Sequence, residues 1–314
     1  MTTLQNRHKT VLITGAAGFL GRYCVQHFAE QGWSVVGIDG TPAENAPLSQ
    51  LLSYYSLHLP DAVLNDIVSE HAPAVCIHCA GSASVGLSVT DPGRDFYANT
   101  VLTFEVLNAL RLHAPGCRFI LLSSAAVYGN PRSLPVGESQ PPAPISPYGF
   151  HKLQCEELCR EFSDVYDVPT ASLRIFSAYG PGLRRQVLWD ICRKVIVQKS
   201  LTLQGTGGES RDFVHALDIV QAIDLVNSKA PMTGEVYNLA SGREVTIREL
   251  AQLTLAALGS TITPRFDGVV PAGTPLNWRA DMSRLHALGY APSIPLEQGI
   301  PSFANWCRTE LIGL

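Results

Sequence analysis

The sequence has no hydrophobic run long enough to span a membrane and no excess of basic residues. Its 314 residues carry a net charge of −4, which argues against nucleic acid or an anionic membrane as a partner. With 46% hydrophobic and 16% charged residues, the composition indicates a globular protein rather than a disordered one. Arg7, His8 and Lys9 precede an apolar stretch, as in a signal peptide. Glycines interrupt that stretch, and we therefore expect a cytoplasmic protein.

A second cysteine pair at metal-site spacing is also missing, although the chain has eight cysteines. Cys76 and Cys79 are spaced like a metal or redox pair with His78 between them, but their segment is apolar and predicts a strand. Cys155 and Cys159 lie one helical turn apart. We therefore predict buried thiols and no metal site.

The N-terminal segment has the order strand, glycine-rich turn, helix, strand and acid. Residues 10–14 are β-branched and apolar, and Gly15, Gly18 and Gly21 follow at three-residue intervals. Glycines at this spacing let the backbone turn tightly and approach a pyrophosphate at a helix N-terminus. The second strand ends at Asp39, where a carboxylate would bind a ribose 2′-hydroxyl and repel a 2′-phosphate. The pattern predicts a dinucleotide site that takes NAD and not NADP.

Two further segments supply a hydroxyl, a phenol and an ammonium. Ser124 follows an apolar run, and Tyr148 and Lys152 lie four residues apart in a stretch that favours a helix. Residues at this spacing project from one helix face. A phenol has a reference pKa of about 10, and a nearby cation favours the ionised form that accepts a proton. A solvated polar helix face is the alternative interpretation of the Tyr–Lys pair alone.

Together these features resemble the extended short-chain dehydrogenases/reductases, specifically the NAD-dependent epimerase/dehydratase group that acts on nucleotide sugars. Further segments similar to that family occupy residues 77–81, 91–99, 174–182, 210–215 and 234–242. The resemblance implies an α/β fold, a Rossmann-type doubly wound parallel sheet with a smaller C-terminal α/β substrate domain. It divides the chain into an NAD-binding domain, 1–176, and a substrate domain, 177–314, with segments at about 211–240 returning to the first.

The alternation of short apolar segments with helical patterns supports a parallel sheet built from βαβ units. The strands predicted for this sheet are residues 11–14, 34–38, 54–57, 74–80, 119–123 and 171–175.

The resemblance also assigns roles to individual residues. Ser124, Tyr148 and Lys152 match the catalytic set. The cofactor-binding positions are matched by Gly15, Gly18, Phe19, Leu20, Gly21, Asp39, Leu59, Ala80, Gly81, Asn99, Tyr148 and Lys152. The substrate-side positions are matched by Ser84, Ser124, Ser177, Arg211 and Arg279. A guanidinium suits the geometry of phosphate, whereas a salt bridge with Asp212 is the alternative for Arg211.

Two partners follow from the resemblance, a nucleotide-diphosphate sugar and a second copy of the chain. The homodimer would form by pairing of the helix at 100–112 with the helix that begins at Tyr148, in a four-helix bundle. The apolar residues that suggest this pairing are Val101, Leu102, Phe104, Val106, Leu107, Leu110, Leu153, Cys155, Leu158 and Cys159.

Ala125 and Ala126 decide which reaction we expect. Dehydratases of the family carry an Asp-Glu pair there, so the acid and base for elimination are missing. The implied reaction is C4 epimerisation of a nucleotide hexose through a transient 4-ketosugar, with Tyr148 as the base. Two alternatives remain open. One is a nucleotide-4-ketosugar reductase, because residues 84–88 of this chain resemble a loop of such enzymes. The other is a non-catalytic NAD-binding scaffold or sensor.

Four features depart from the epimerase pattern. Ser177 stands where Asn is usual, Ala83 stands where Lys is frequent, and residues 270–273 replace an Arg-Pro-Gly-Asp signature. The acidic–apolar pair on the adenine side is replaced by His58 and Leu59. These departures leave both the nucleotide and the sugar open.

Overall fold

The structure, a computed structural model, describes residues 9–46, 48–270, 273 and 275–313. Its strands are β1 (Thr10–Thr14), β2 (Ser34–Asp39), β3 (Ser53–Ser56), β4 (Val75–His78), β5 (Arg118–Ser124), β6 (Thr170–Ile175), β7 (Ser177–Tyr179), β8 (Thr202–Leu203), β9 (Ser210–His215), β10 (Thr233–Leu239), β11 (Glu244–Thr246) and β12 (Arg265–Phe266). Its α-helices are α1 (Phe19–Glu30), α2 (Val63–His71), α3 (Val85–Thr90), α4 (Pro92–Phe96), α5 (Leu102–His113), α6 (Pro147–Tyr166), α7 (Gln186–Arg193), α8 (Ala216–Lys229), α9 (Ile247–Ala257), α10 (Ser283–Ala287) and α11 (Leu296–Ile312). Within these described ranges, no helix combines the length and hydropathy that a membrane span requires.

The chain divides into two compact units. The first unit contains the described residues up to Val127 together with Ser146–Arg174 and Ile223–Tyr237. The second unit contains Tyr128–Ile145, Ile175–Ala222 and the described residues from Asn238 onward.

The first unit is built on a seven-stranded sheet with the order β10-β6-β5-β4-β1-β2-β3. The strand β1 pairs in parallel with both β2 and β4, and the pairs β2–β3 and β4–β5 are also parallel. The chain therefore winds away from β1 in both directions, which is the arrangement of a doubly wound sheet. The predicted fold class is confirmed, and all six predicted strands are present with boundaries that differ by at most two residues.

Helix α5 packs against both α2 and α6, and the three helices supply much of the core of the first unit. Cys76, Cys155 and Cys159 are buried in this core, which confirms the prediction of buried thiols, whereas Cys79 is only half-buried. Burial raises the pKa of the Cys159 thiol. Six of the apolar residues that suggested a dimer surface also belong to this core, and they do not supply such a surface: Leu102, Val106, Leu107, Leu110, Cys155 and Cys159.

The second unit contains a three-stranded sheet, β11-β9-β7, and a two-stranded sheet, β12-β8. Asp212 on β9 is fully buried and joins segments that are distant in sequence. Its carboxylate accepts hydrogen bonds from the backbone nitrogens of Ser241 at 2.9 Å, Gly242 at 3.0 Å and Ala280 at 3.1 Å. Burial raises the pKa of Asp212 to about 6 although these hydrogen bonds oppose the shift.

Candidate active site

The glycine-rich turn between β1 and α1 lies against the segment that follows β4. A Cβ atom on Gly15 would lie 2.7 Å from the backbone nitrogen of Ala80, and one on Gly21 would lie 1.9 Å from the carbonyl oxygen of Gly15. Gly15 also has a φ of +70°, which residues with a side chain rarely adopt. The turn therefore requires glycine at these two positions. It brings the N-terminus of α1, which begins after Gly18, to the carboxyl edge of the sheet.

Asp39 at the end of β2 is hydrogen-bonded to this turn. Its Oδ2 accepts from the backbone nitrogen of Ala17 at 3.1 Å. Its Oδ1 accepts from the backbone nitrogen of Thr41 at 2.8 Å and from the Thr41 hydroxyl at 2.7 Å. A carboxylate has about four acceptor positions, so Asp39 retains capacity for a hydroxyl group of a ligand.

A cavity of about 700 Å³ opens at this edge of the first unit, a volume that suits a small-molecule site. Six of the predicted cofactor-binding residues line it: Gly15, Gly18, Asp39, Leu59, Ala80 and Gly81. An exposed backbone turn at a helix N-terminus, a carboxylate at the end of β2 and apolar walls fit the pyrophosphate, ribose and base of a dinucleotide.

The other predicted cofactor-binding residues near the turn do not belong to the described lining of the cavity. Phe19 and Leu20 form the first turn of α1, and Gly21 packs on the glycine-rich turn itself. Asn99 lies in a π-helical turn between α4 and α5 and is buried behind Gly81, where a Cβ atom would lie 2.7 Å from Asn99 Oδ1.

The start of α6 fixes two of the three predicted catalytic residues. Ser146 caps the helix, because its hydroxyl accepts a hydrogen bond from the backbone nitrogen of Gly149 at 3.2 Å. Pro147 occupies the first helical position, where its fixed φ and missing N–H are favourable. This start places Tyr148 in the first turn and Lys152 one turn later on the same face.

Backbone contacts hold the predicted base and the predicted serine. The backbone nitrogen of Tyr148 donates to the Ser88 hydroxyl at 3.1 Å, and that hydroxyl donates to the carbonyl oxygen of Val85 at 2.7 Å. Ser124 ends β5, and its hydroxyl accepts from the backbone nitrogen of Ala126 at 3.1 Å. The Ser88 contact has no signal in the sequence, because it joins a short helix to a residue 60 positions away.

The side chain of Lys152 is buried, with 5% of the residue exposed, and its ammonium donates to the carbonyl oxygen of Leu122 at 3.1 Å. Burial first, and then the positive charge of Lys152, lower the pKa of His78 to about 3. His78 is therefore neutral at physiological pH, and Thr14 Oγ1 lies 2.7 Å from its Nδ1.

A buried ion pair lies one helical turn beyond Lys152. Arg174 Nη2 lies 2.7 Å from Glu156 Oε2, and Arg174 Nε lies 3.0 Å from Glu156 Oε1. The Ser123 hydroxyl donates to the same carboxylate at 2.6 Å. Sequence reasoning missed this network, although Glu156 lies four residues after Lys152 and so shares its helix face. The network ties α6 to β5 and β6 beneath the predicted catalytic residues.

Arg211 in the second unit is held without a salt bridge to Asp212, because the Asp212 carboxylate is bonded to backbone nitrogens instead. The guanidinium donates to the carbonyl oxygens of Ser210 at 2.6 Å and Leu276 at 3.1 Å, and it lies 5.4 Å from the ring centre of Trp278. Burial lowers the pKa of Arg211 to about 10, so it remains a cation at neutral pH.

The remaining substrate-side candidates are spread over both units. Ser84 caps α3, because its hydroxyl accepts from the backbone nitrogen of Leu87 at 3.3 Å. Ser177 begins β7 and is half-buried, and Arg279 is exposed. Pro271 and Ala272, within the replaced signature at 270–273, lie outside the described residues. In the described part of the chain, no three His, Cys, Asp or Glu side chains form a group that could hold a metal ion.

These observations define a class, an α/β protein with a cavity that fits a dinucleotide at the carboxyl edge of a doubly wound sheet and a Ser, Tyr and Lys set on the same unit. The model of the NAD dependent epimerase/dehydratase family matches residues 11–240. The chain therefore belongs to this family, and NAD is its cofactor.

Individual relatives extend the similarity over nearly the whole chain. A UDP-glucose 4-epimerase of Mycolicibacterium smegmatis is 30% identical over 316 residues, which cover 95% of this chain and 98% of the relative. The solved UDP-glucose 4-epimerase of Thermotoga maritima with UDP-glucose has a TM-score of 0.89 and 28% identity, covering 96% of this chain and 99% of that chain. The UDP-glucose 4-epimerase of Thermus thermophilus in complex with NAD has a TM-score of 0.86 and 26% identity, covering 95% and 99%.

Proposed function

We propose that this protein is an NAD-dependent nucleotide-sugar 4-epimerase that acts on a UDP-hexose. The observation that carries the proposal is a complete Ser124, Tyr148 and Lys152 set followed by two buried alanines, Ala125 and Ala126, which supply neither acid nor base for elimination. Redox chemistry at one carbon is then the reaction that these side chains can support. The relatives described above, which are UDP-glucose 4-epimerases, support both the position and the nucleotide.

Tyr148 is the proposed base. Bound NAD supplies a hydride acceptor that later returns the hydride to the same carbon. The Tyr148 phenolate takes the proton of the sugar C4 hydroxyl and gives it back after the ketosugar has turned. Ser124 donates a hydrogen bond to the same sugar oxygen and stabilises the charge that develops on it.

Lys152 has two proposed roles. Its positive charge stabilises the negative charge that develops on the reacting oxygens, and its ammonium binds ribose hydroxyls of the cofactor. The carbonyl oxygen of Leu122 accepts one of the three ammonium hydrogens, which leaves two donors for these roles. Because the side chain is buried, water and salt screen its charge only weakly.

We propose that the first unit binds NAD and that the second unit supplies most of the contacts to the nucleotide sugar. Arg211 is the proposed phosphate ligand, since its rigid setting against Trp278 presents a planar cation. Arg279, Ser177 and Ser84 are further proposed substrate contacts. The side chains that would fix the sugar differ from the usual epimerase pattern, and so the proposal does not extend to one hexose.

A homodimer through α5 and α6 is also proposed. Most apolar residues of these helices are buried in the core, but Phe104 is 41% exposed and Phe150 is 52% exposed. In the turn that precedes α5, the Thr100 hydroxyl donates a hydrogen bond of 2.9 Å to Gln154 Oε1 on α6. An exposed aromatic surface on two packed helices is the kind of face that a second copy covers.

The activity is tested by incubating the protein with UDP-glucose, UDP-N-acetylglucosamine or UDP-glucuronic acid in D₂O without added reduced cofactor. We expect NMR to show the 4-epimer of at least one sugar, with hydrogen and not deuterium retained at C4. Oxidation of one equivalent of reduced dinucleotide with a UDP-4-ketosugar, without epimerisation of the three sugars, would indicate a ketosugar reductase. No turnover of any of the three would contradict the proposal.

A further inference from the structure

Two buried oxygen atoms near the dinucleotide cavity lack hydrogen-bond partners. Asp95 is 2% exposed and Asn99 is 1% exposed, and no described residue hydrogen-bonds to Oδ1 of either side chain. Buried polar atoms in native proteins nearly always have a partner, so each of these oxygens calls for a donor. The two residues lie four positions apart on the helical segment that contains α4, and they therefore share one side of it.

The other atoms of both side chains are already held. Asp95 Oδ2 lies 2.6 Å from Nδ1 of His151, and Asn99 Nδ2 donates to the backbone carbonyl oxygen of Asp95 at 3.1 Å. These contacts fix both side chains and leave their Oδ1 atoms as acceptors. The donor that completes them must come from a ligand or a solvent molecule.

Asp95 lines the dinucleotide cavity together with Ala98 and Leu102 from the same helical segment. Leu57 and Leu59, which follow β3, also line it. These apolar side chains are suited to the faces of a flat aromatic ring. The carboxylate of Asp95 is therefore part of a mainly apolar wall, where a hydrogen bond to a charged oxygen is strong.

We propose that Asp95 recognises the adenine base of NAD, and that its Oδ1 accepts a hydrogen bond from the exocyclic amino group. This inference rests on NAD being the cofactor, as in the proposed function.

NAD carries a second amino group, in the carboxamide of nicotinamide, but the position of Asp95 favours adenine. Asp39, the proposed ligand of the adenosine ribose, lines the same cavity as Asp95. Tyr148 and Lys152, which are proposed to face the reactive end of the cofactor, are absent from the described wall of that cavity.

The residue at position 58 differs from the family pattern on the adenine side. The family pattern has an acid there, but this chain has His58, which is exposed and lies over Gly40. A Cβ atom on Gly40 would lie 2.3 Å from His58 Nδ1. Asp95 thus supplies from the helix the carboxylate that the segment after β3 lacks.

The test compares three dinucleotides by equilibrium titration of protein that has been stripped of bound cofactor. These are NAD, nicotinamide hypoxanthine dinucleotide, in which an oxygen replaces the adenine amino group, and 3-acetylpyridine adenine dinucleotide, which lacks the carboxamide. We expect the wild type to bind NAD about tenfold or more tightly than the hypoxanthine analogue. Asp95→Asn should reduce that preference by about tenfold, because its amide can donate to the hypoxanthine oxygen.

Asp91→Asn is the matched control, since Asp91 lines the same cavity and asparagine retains its helix-capping role. It should leave the base preference unchanged. An unchanged preference in Asp95→Asn, or a preference that shifts only for the acetylpyridine analogue, would overturn the inference. If the wild type binds NAD without discriminating between bases, the inference alone fails; if it binds no dinucleotide, the proposed function fails as well.

Discussion

Asp39 is the residue that we propose sets the choice of cofactor. Its carboxylate is fixed by Ala17 and Thr41 and lines the cavity, so a 2′-phosphate on the adenosine ribose would meet a negative charge that cannot turn away. The same rigid carboxylate would bind the 2′-hydroxyl of NAD.

We expect Asp39→Ala to lower NAD affinity by roughly ten- to a hundredfold and to raise NADP affinity relative to NAD, because a charged hydrogen bond and a repulsion are both removed. Titration with both dinucleotides measures this effect. Glu44→Gln is the control, since Glu44 is an exposed acid a few residues further along the chain. Equal binding of both dinucleotides by the wild type would refute the role of Asp39.

His78 should make the free energy of unfolding decrease as the pH falls below the pKa of an unfolded histidine. The pKa of His78 is about 3 in the folded protein, below the value near 6.5 of an unfolded chain. The unfolded state therefore binds more protons between these values, and the free energy of unfolding falls as pH falls through this window.

We expect the wild type to lose about 1.4 kcal/mol per pH unit relative to His78→Asn below pH 6.5, as measured by urea unfolding between pH 7 and pH 4. The variant starts less stable, because it loses the packing of the ring against Phe119. All other groups titrate alike in both proteins. Parallel stability curves would show that His78 is not held neutral.

The residues that could be predicted from the sequence are those with a local signature. Gly15, Gly21 and Asp39 follow a fixed spacing along one βαβ unit, and their geometry in the structure matches that pattern. The spacing of Tyr148 and Lys152 also predicted their shared helix face. Asp95 and His151 could not be predicted, because 56 residues separate them and only the packing of α4 on α6 brings them together.

At the scale of elements, α6 is the helix on which the proposed chemistry depends. Its N-terminus carries Tyr148 and Lys152, and its middle is anchored by the Glu156–Arg174 pair. The sequence predicted the helix and its neighbouring strands but not this anchor, because a buried ion pair between a helix and a strand leaves no periodic pattern.

Removing one partner of that anchor should destabilise the protein strongly. Arg174→Met leaves the Glu156 carboxylate buried without a cation, and we expect a loss of about 3–5 kcal/mol in the free energy of unfolding. The double variant Glu156→Leu/Arg174→Met should recover much of this loss. Arg160→Met, which breaks an exposed pair with Glu157, is the control and should cost less than about 1 kcal/mol. Additive effects in the double variant would argue against a direct pair.

At the scale of the whole molecule, the proposed dimer depends on a few exposed aromatic side chains. We expect sedimentation equilibrium to show a dimer at micromolar concentration, and the double variant Phe104→Glu/Phe150→Glu to be a folded monomer, because two charges per copy would be buried in the interface. Leu52→Glu, at an exposed leucine outside α5 and α6, should remain dimeric. A monomeric wild type would contradict the dimer.

The family and the fold follow from features spread along the chain, whereas the sugar specificity does not. Ser177, Ala83 and the segment 270–273 differ from the epimerase pattern. Substrate specificity depends on the shape that such side chains form together, and no spacing rule encodes that shape. The catalytic claim is independent of it, because it depends on Ser124, Tyr148 and Lys152 and not on these positions.

The most direct measurement is therefore the turnover of Tyr148→Phe with the UDP-hexose that proves to be the substrate. The phenylalanine ring fills the same buried place, so folding and NAD binding should persist while turnover falls by roughly two to four powers of ten. Ser124→Ala should likewise retain NAD and lose activity, and Lys152→Met should lose both. Near-normal turnover of Tyr148→Phe, with NAD bound, would contradict the assignment of Tyr148 as the base.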